Sequence, residues 1–134
     1  AYTIRSYSDV EEIKRIMRER PQKLSLNEFY LVAREYEPGT DEFTEVFETA
    51  VRMFPDDTVA NLNAANAAMR RGDLTGAKRY LAKADDSPEA VYARGALAIL
   101  QKDYDSARRY LSEAKTLGSE QAGITLEQLE KGRH

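Results

Sequence analysis

Cysteine and tryptophan are absent from this chain, and its one histidine, His134, is the last residue. The missing thiols exclude disulfides, thiolate zinc sites and thiol nucleophiles together. With no internal histidine, the commonest general base is gone as well. No apolar run approaches the roughly 20 residues that a bilayer helix needs, so direct membrane insertion by this segment is not expected. No glycine-rich phosphate loop is found, and positive charge nowhere gathers into the stripe of a nucleic-acid binder. These gaps leave no catalytic constellation, so no catalytic residue, metal ligand or cofactor is expected and the chain is not read as an enzyme.

What is present describes a charged, helix-rich chain. At 134 residues, with 42% hydrophobic and 32% charged side chains, it has one domain's worth of core and no low-complexity tract. The net charge of -3 hides an asymmetry: residues 1–60 hold 8 basic and 13 acidic side chains, and residues 61–134 hold 12 and 10. The opening Ala1-Tyr2-Thr3, without Met, reads as a piece of a longer protein.

Residues Tyr2–Tyr7 show no helical period and read as an extended lead-in from a preceding domain, placed at 1–8. Ser8-x-x-Glu11 is a capping box opening a helix over Asp9–Glu19, which Pro21 closes. The unit formed by that helix and its loop spans 9–24. Ser25-x-x-Glu28 is a second capping box, for a helix through Glu37, and Pro38-Gly39 ends it. Thr40 or Asp41 caps a helix to Phe54, and Pro55-Asp56-Asp57 breaks it. Two hairpins follow, Thr58–Arg71 with Leu74–Ala84 and Pro88–Gln101 with Tyr104–Leu117, and a last helix covers Glu120–Lys131 within 118–134. That makes eight helices and no strand. The acid pairs and Asp103-x-Asp105 lack the glycine and further oxygens of a calcium loop, and read as helix caps.

The strongest signal is a register. A shift of thirty residues lays Asp73, Ala77, Tyr80, Leu81 and Ala84 on Asp103, Ala107, Tyr110, Leu111 and Ala114. Small residues around a large one, at a fixed period, are the mark of stacked helical hairpins: small side chains let paired helices approach, and the large one plugs the gap to the next hairpin. The pattern resembles the tetratricopeptide repeat, with Ala64, Ala65 and Ala68, then Gly95 and Ala98, at the small positions of the first helices. A step of about 34 residues back from Ala77, Leu81 and Ala84 reaches Phe43, Phe47 and Ala50, a degenerate first repeat. The resemblance implies an all-α, right-handed helical-hairpin solenoid with three hairpins over 25–117.

A second resemblance rests on Tyr2-Thr3-Ile4-Arg5, Arg20-Pro21-Gln22, Asn27-Glu28-Phe29, Val46-Phe47-Glu48-Thr49-Ala50-Val51-Arg52-Met53-Phe54-Pro55 and Ala60-Asn61-Leu62-Asn63-Ala64-Ala65-Asn66. These runs are similar to the C-terminal repeat region of OmpA-family outer-membrane proteins of Bacteroidetes. That resemblance implies a periplasmic location, tethered through a larger protein of the outer membrane or cell wall.

Solenoids of this kind mostly bind other chains through the first helices of their hairpins. The expected partner-binding positions are Glu28, Val32 and Glu35, then Leu62, Asn63, Asn66 and Arg70, then Tyr92, Ala96 and Leu100. Asn63 and Asn66 read either as a pair that hydrogen-bonds a bound backbone or as solvated surface and a polar contact between hairpins. The expected partner is a protein or peptide, with no nucleic acid. The alternative is a structural spacer or a self-associating element whose contacts lie around Ile13, Ile16, Leu126 and Leu129.

Overall fold

The computed structural model describes residues 7–132, which form eight α-helices with no strand among them. They are α1 (Tyr7–Glu19), α2 (Leu26–Ala33), α3 (Asp41–Met53), α4 (Thr58–Arg70), α5 (Leu74–Leu81), α6 (Pro88–Leu100), α7 (Tyr104–Thr116) and α8 (Glu120–Lys131). A single 3-10 turn, Pro21–Lys23, links α1 to α2. Of the expected lead-in over Tyr2–Tyr7, residues 2–6 lie outside the described part, as does the capping side chain of Ser8. Tyr7 is already helical, so α1 begins two residues before the start at Asp9 that the capping motif predicts.

Each later helix starts where a side-chain oxygen takes up a free backbone N–H. Ser25 and Glu28 form the expected reciprocal pair: Ser25 Oγ accepts from the Glu28 amide at 3.3 Å and Glu28 Oε1 from the Ser25 amide at 2.8 Å. Thr40, not Asp41, caps α3, accepting from the Phe43 amide at 3.3 Å. Asp57, Asp73 and Asp103 cap α4, α5 and α7 through the amides of Ala60, Gly76 and Ser106. Ser87 and Ser119 do the same for α6 and α8.

Helix ends depart more from expectation. α2 stops at Ala33 rather than Glu37, and its last turn tightens into three-residue bonds from Glu35 N to Val32 O and from Tyr36 N to Ala33 O. The cause is Pro38, which drives Glu37 out of helical geometry, followed by Gly39 at φ +93°. α5 ends at Leu81, three residues short of Ala84.

Every helix packs against the next along the chain, and α4 also meets α6. This near-neighbour pattern makes a helical repeat-like stack with a continuous series of small cores. The first, under α1 to α3, is built on Ile13, Phe29, Val32 and Val46, all at 0% exposure. The cores further along are lined by Ala65, Ala77 and Ala93, then by Leu111, Ala114 and Ala122. Gly95 shows how close α6 and α7 come: a Cβ there would lie 2.9 Å from Leu111 Cδ2.

Both ends of the stack are polar on the outside. On α1, Arg15 bridges Glu12 and Glu19. On α8, Glu120, Gln121, Glu127 and Gln128 are exposed with Lys131, and Ile124 is the one large apolar side chain among them. Polar outer faces of this kind close a repeat array.

Candidate functional site

The thirty-residue register carries a face of α4 onto the same face of α6. Leu62, Asn66, Met69 and Arg70 fall on Tyr92, Ala96, Ile99 and Leu100. Helical spacing of three and four residues puts each set on one stripe. Because α4 and α6 touch, the two stripes lie side by side, and between them runs an open groove of about 460 Å³.

Five of the expected binding residues meet there: Asn66, Arg70, Tyr92, Ala96 and Leu100. Leu100 is 49% exposed, a large apolar side chain presented to solvent at the groove. Arg70 is the one charged residue in the lining. The floor is apolar, from Met69 and Ile99, with the Asn66 amide and the Tyr92 hydroxyl as polar points. A surface of this composition suits an apolar anchor flanked by hydrogen-bonding groups.

The other expected residues do not join it. Val32 has no exposed surface and belongs to the core under α1 to α3, so it offers a partner nothing. Helical spacing puts it on the inward face of α2, but α1 covers that face with Ile13 and Met17. Glu28 is committed to the cap of α2, and Glu35 stands exposed beyond the helix end. Leu62 is half-buried against the core of α4, α5 and α6.

Asn63 turns away from Asn66 toward α2. The Tyr30 hydroxyl oxygen there is buried and no hydrogen-bond partner reaches it. Burial pushes its pKa up, and Asn63 pulls the other way from nearby without bonding geometry. The two asparagines therefore split, one into a contact between hairpins and the other into the groove.

Three groove residues lay outside the expectation. Met69 and Ile99 share the stripe of Asn66 and Ala96 three residues on, so helical spacing alone could have found them. Thr125 arrives on α8, and nothing in sequence places it: its hydroxyl lies 3.2 Å from that of Tyr92, tying the last helix to the groove's edge.

Asn61, within the same asparagine run, is structural. At 1% exposure it donates from Nδ2 to Pro55 O at 3.0 Å and to Asp57 O at 2.9 Å, bonding the chain that leaves α3. One repeat later the corresponding work falls to Arg94, which donates to Leu81 O at 3.0 Å, to Ala84 O at 3.2 Å and to the Asp86 carboxylate at 2.9 Å. The acid pairs behave as caps and ion-pair partners, with Asp85 accepting from the Ser87 amide. Among the described residues no group of three or more His, Asp and Glu side chains gathers as a metal site, and no helix is long and apolar enough to cross a membrane.

The residues suggested for self-association are spent inside the molecule. Ile13 is fully buried, Ile16 packs on the first core, and Leu126 and Leu129 pack on the last. No protein-family model matches this chain, and no curated protein matches it.

Proposed function

We propose that this chain is a non-catalytic protein-interaction module, a right-handed solenoid of three tetratricopeptide-like hairpins that binds a peptide or partner protein in the groove between α4 and α6. The observation that carries the reading is the convergence of Asn66, Arg70, Tyr92, Ala96 and Leu100 on one open apolar groove, while both ends of the stack are closed by polar helices. An apolar side chain of the partner would rest on Met69, Ile99 and Leu100, and its backbone would meet Asn66 and Arg70. The likeness to the repeat region of OmpA-family proteins supports a periplasmic setting within a larger envelope protein.

The polar ends and the buried Ile13 weigh against the self-association reading. The test uses residues 1–134 as bait in envelope and cytosolic extracts, beside an Asn66→Ala/Leu100→Glu variant. Both sites are exposed, so the variant keeps its fold. A protein held by the parent, lost by the folded variant and bound directly once purified supports the module. Equal retention by both baits sinks the groove.

A further inference from the structure

On the face of α4 opposite the groove lies a second, smaller cavity. Ala64, Ala68 and Arg71 differ from Asn66, Met69 and Arg70 by about half a turn of helix. They back a recess of about 270 Å³ that α3 closes with Thr44 and Glu48 and α5 with Asp73 and Tyr80. That volume lies just below the range of drug-sized sites and is of the order of one long side chain.

Thr44 is the unexplained group. It is 6% exposed, and its Oγ1 is buried with no hydrogen-bond partner. An orphaned buried hydroxyl costs stability, and each such group calls for a reason. Carboxylates stand around it: Glu48 lines the same recess, Asp73 uses only Oδ1 to cap α5, and the single cation, Arg71, is already paired with Asp41 at 2.8 Å. Two carboxylates and an unpartnered hydroxyl therefore share the recess with one cation that is already paired, and Tyr80 completes the lining.

The next junction supplies an internal control. The same cavity recurs between α5, α6 and α7 at about 300 Å³. Asp73 and Tyr80 become Asp103 and Tyr110 there, and Ala68 becomes Ala98. Four substitutions change the charge: Thr44 becomes Lys78, Ala64 becomes Arg94, Glu48 becomes Ala82 and Arg71 becomes Gln101, so two carboxylates and one cation give way to one carboxylate and two cations. The second cavity is thus furnished with two cations from the chain itself, where the first has the hydroxyl of Thr44 and the methyl of Ala64.

We propose that the recess between α3, α4 and α5 is a docking pocket for a lysine side chain of a partner segment, whose ammonium is received by Thr44 Oγ1, Glu48 and Asp73. An ammonium brings three donors and no acceptor, which matches this lining. Its methylene stem packs on Ala64, Ala68 and Tyr80, as long basic side chains do on apolar surface. The pocket lies opposite the groove and does not depend on it.

The test is a backbone-amide NMR titration of the full chain with a blocked pentapeptide, one lysine between glycines, against the same peptide carrying norleucine. Saturable shifts at Thr44, Glu48 and Asp73 with the lysine peptide alone support the pocket. Glu48→Gln, at an exposed position that leaves the fold intact, then weakens binding roughly tenfold, the scale of one charge-assisted bond. Thr44→Val, checked by its melting curve, weakens it further. Equal shifts with norleucine, shifts centred on Arg94 and Asp103, indifference to Glu48→Gln, or no saturable shift each overturn the proposal. Shifts confined to Asn66 and Leu100 would support the groove and still overturn the pocket.

Discussion

The two halves of the stack solve the same packing problem with opposite materials. All four phenylalanines lie in the first half, where Phe43 meets Phe47 edge to face with ring centroids 4.9 Å apart and Tyr30 tilts onto Phe47 at 5.9 Å. From α4 onward alanine, beside Leu81, Leu97 and Leu111, lines the helix contacts: Ala65, Ala68, Ala77, Ala93, Ala98 and Ala107 are each 4% exposed or less. Rings hold helices apart and fill the space between them. Alanines let helices close until backbones nearly touch, and stability then depends on nothing larger entering. One hairpin plan therefore tolerates two core chemistries, provided each gap is matched to its side chains.

That contrast makes the halves fail in opposite directions. The largest effect is expected at Phe29, fully buried on α2: Phe29→Ala removes a ring from a sealed core and costs about 3–5 kcal/mol. The paired test uses equivalent repeat positions, Phe43 and Ala107. Phe43→Ala restores the small residue of the other repeats, yet is expected to destabilise by about 1–3 kcal/mol because the ring is packed on Phe47. Ala107→Phe places that ring where exposure is already 0% and costs about as much or more through overpacking. Urea midpoints at unchanged m values measure all three. Should Phe43→Ala stabilise the protein, the aromatic core would be a decayed alanine one and not an alternative to it.

A smaller difference separates the two hairpin turns in the alanine half. Gly72 turns the first at φ +80°, and Lys102 turns the second at φ +61°, in the left-handed region that side chains disfavour. Lys102→Gly is expected to stabilise by about 1 kcal/mol, read as a rise in melting temperature, while Gly72→Lys lowers it by a similar amount.

The alanine half was legible because its signal is periodic: Ala77 and Ala107, Leu81 and Leu111, Asp73 and Asp103 repeat in phase, and their helices follow. The aromatic half was harder, since Phe43 breaks the small-residue pattern and only the step back to Phe47 and Ala50 reveals the repeat. Helix starts were legible wherever a cap supplies a bond that sequence encodes locally, as at Ser25 and Ser87. Most helix ends were legible to within one residue, as at Glu19 and Lys131; α2 and α5 stop three or four residues early, α2 because Pro38 acts back on the turn before it. At the candidate site, Asn66, Arg70 and Tyr92 could be placed by counting along a helix. Val32 could not, since its burial depends on α1 crossing that face, and Thr125 depends on where α8 docks.

Acid provides the finest division between the halves. α2 and α3 start on the hydroxyls of Ser25 and Thr40, as α6 and α8 do on those of Ser87 and Ser119, whereas the carboxylate caps, Asp57, Asp73 and Asp103 at α4, α5 and α7, all lie in the alanine half. Ser106, bonded to Asp103, holds that carboxyl below its ordinary value, and Ser87 does the same for Asp85 just before α6. A carboxyl lowered in the folded state binds fewer protons there than in the unfolded chain. Its contribution is therefore complete above the unfolded value near 3.9 and is lost as pH falls through the lower folded value. Both groups are exposed, so the effect is small, and it falls on the alanine half. Below about pH 4, amide exchange at Ser106 is expected to accelerate more than at Phe43, whose cap, Thr40, carries no titrating group. Asp103→Ser should remove that excess while keeping α7 capped, since a serine hydroxyl accepts the same bond at any pH. An excess that survives the substitution would place the acid sensitivity in the packing of the alanine core and not in its caps.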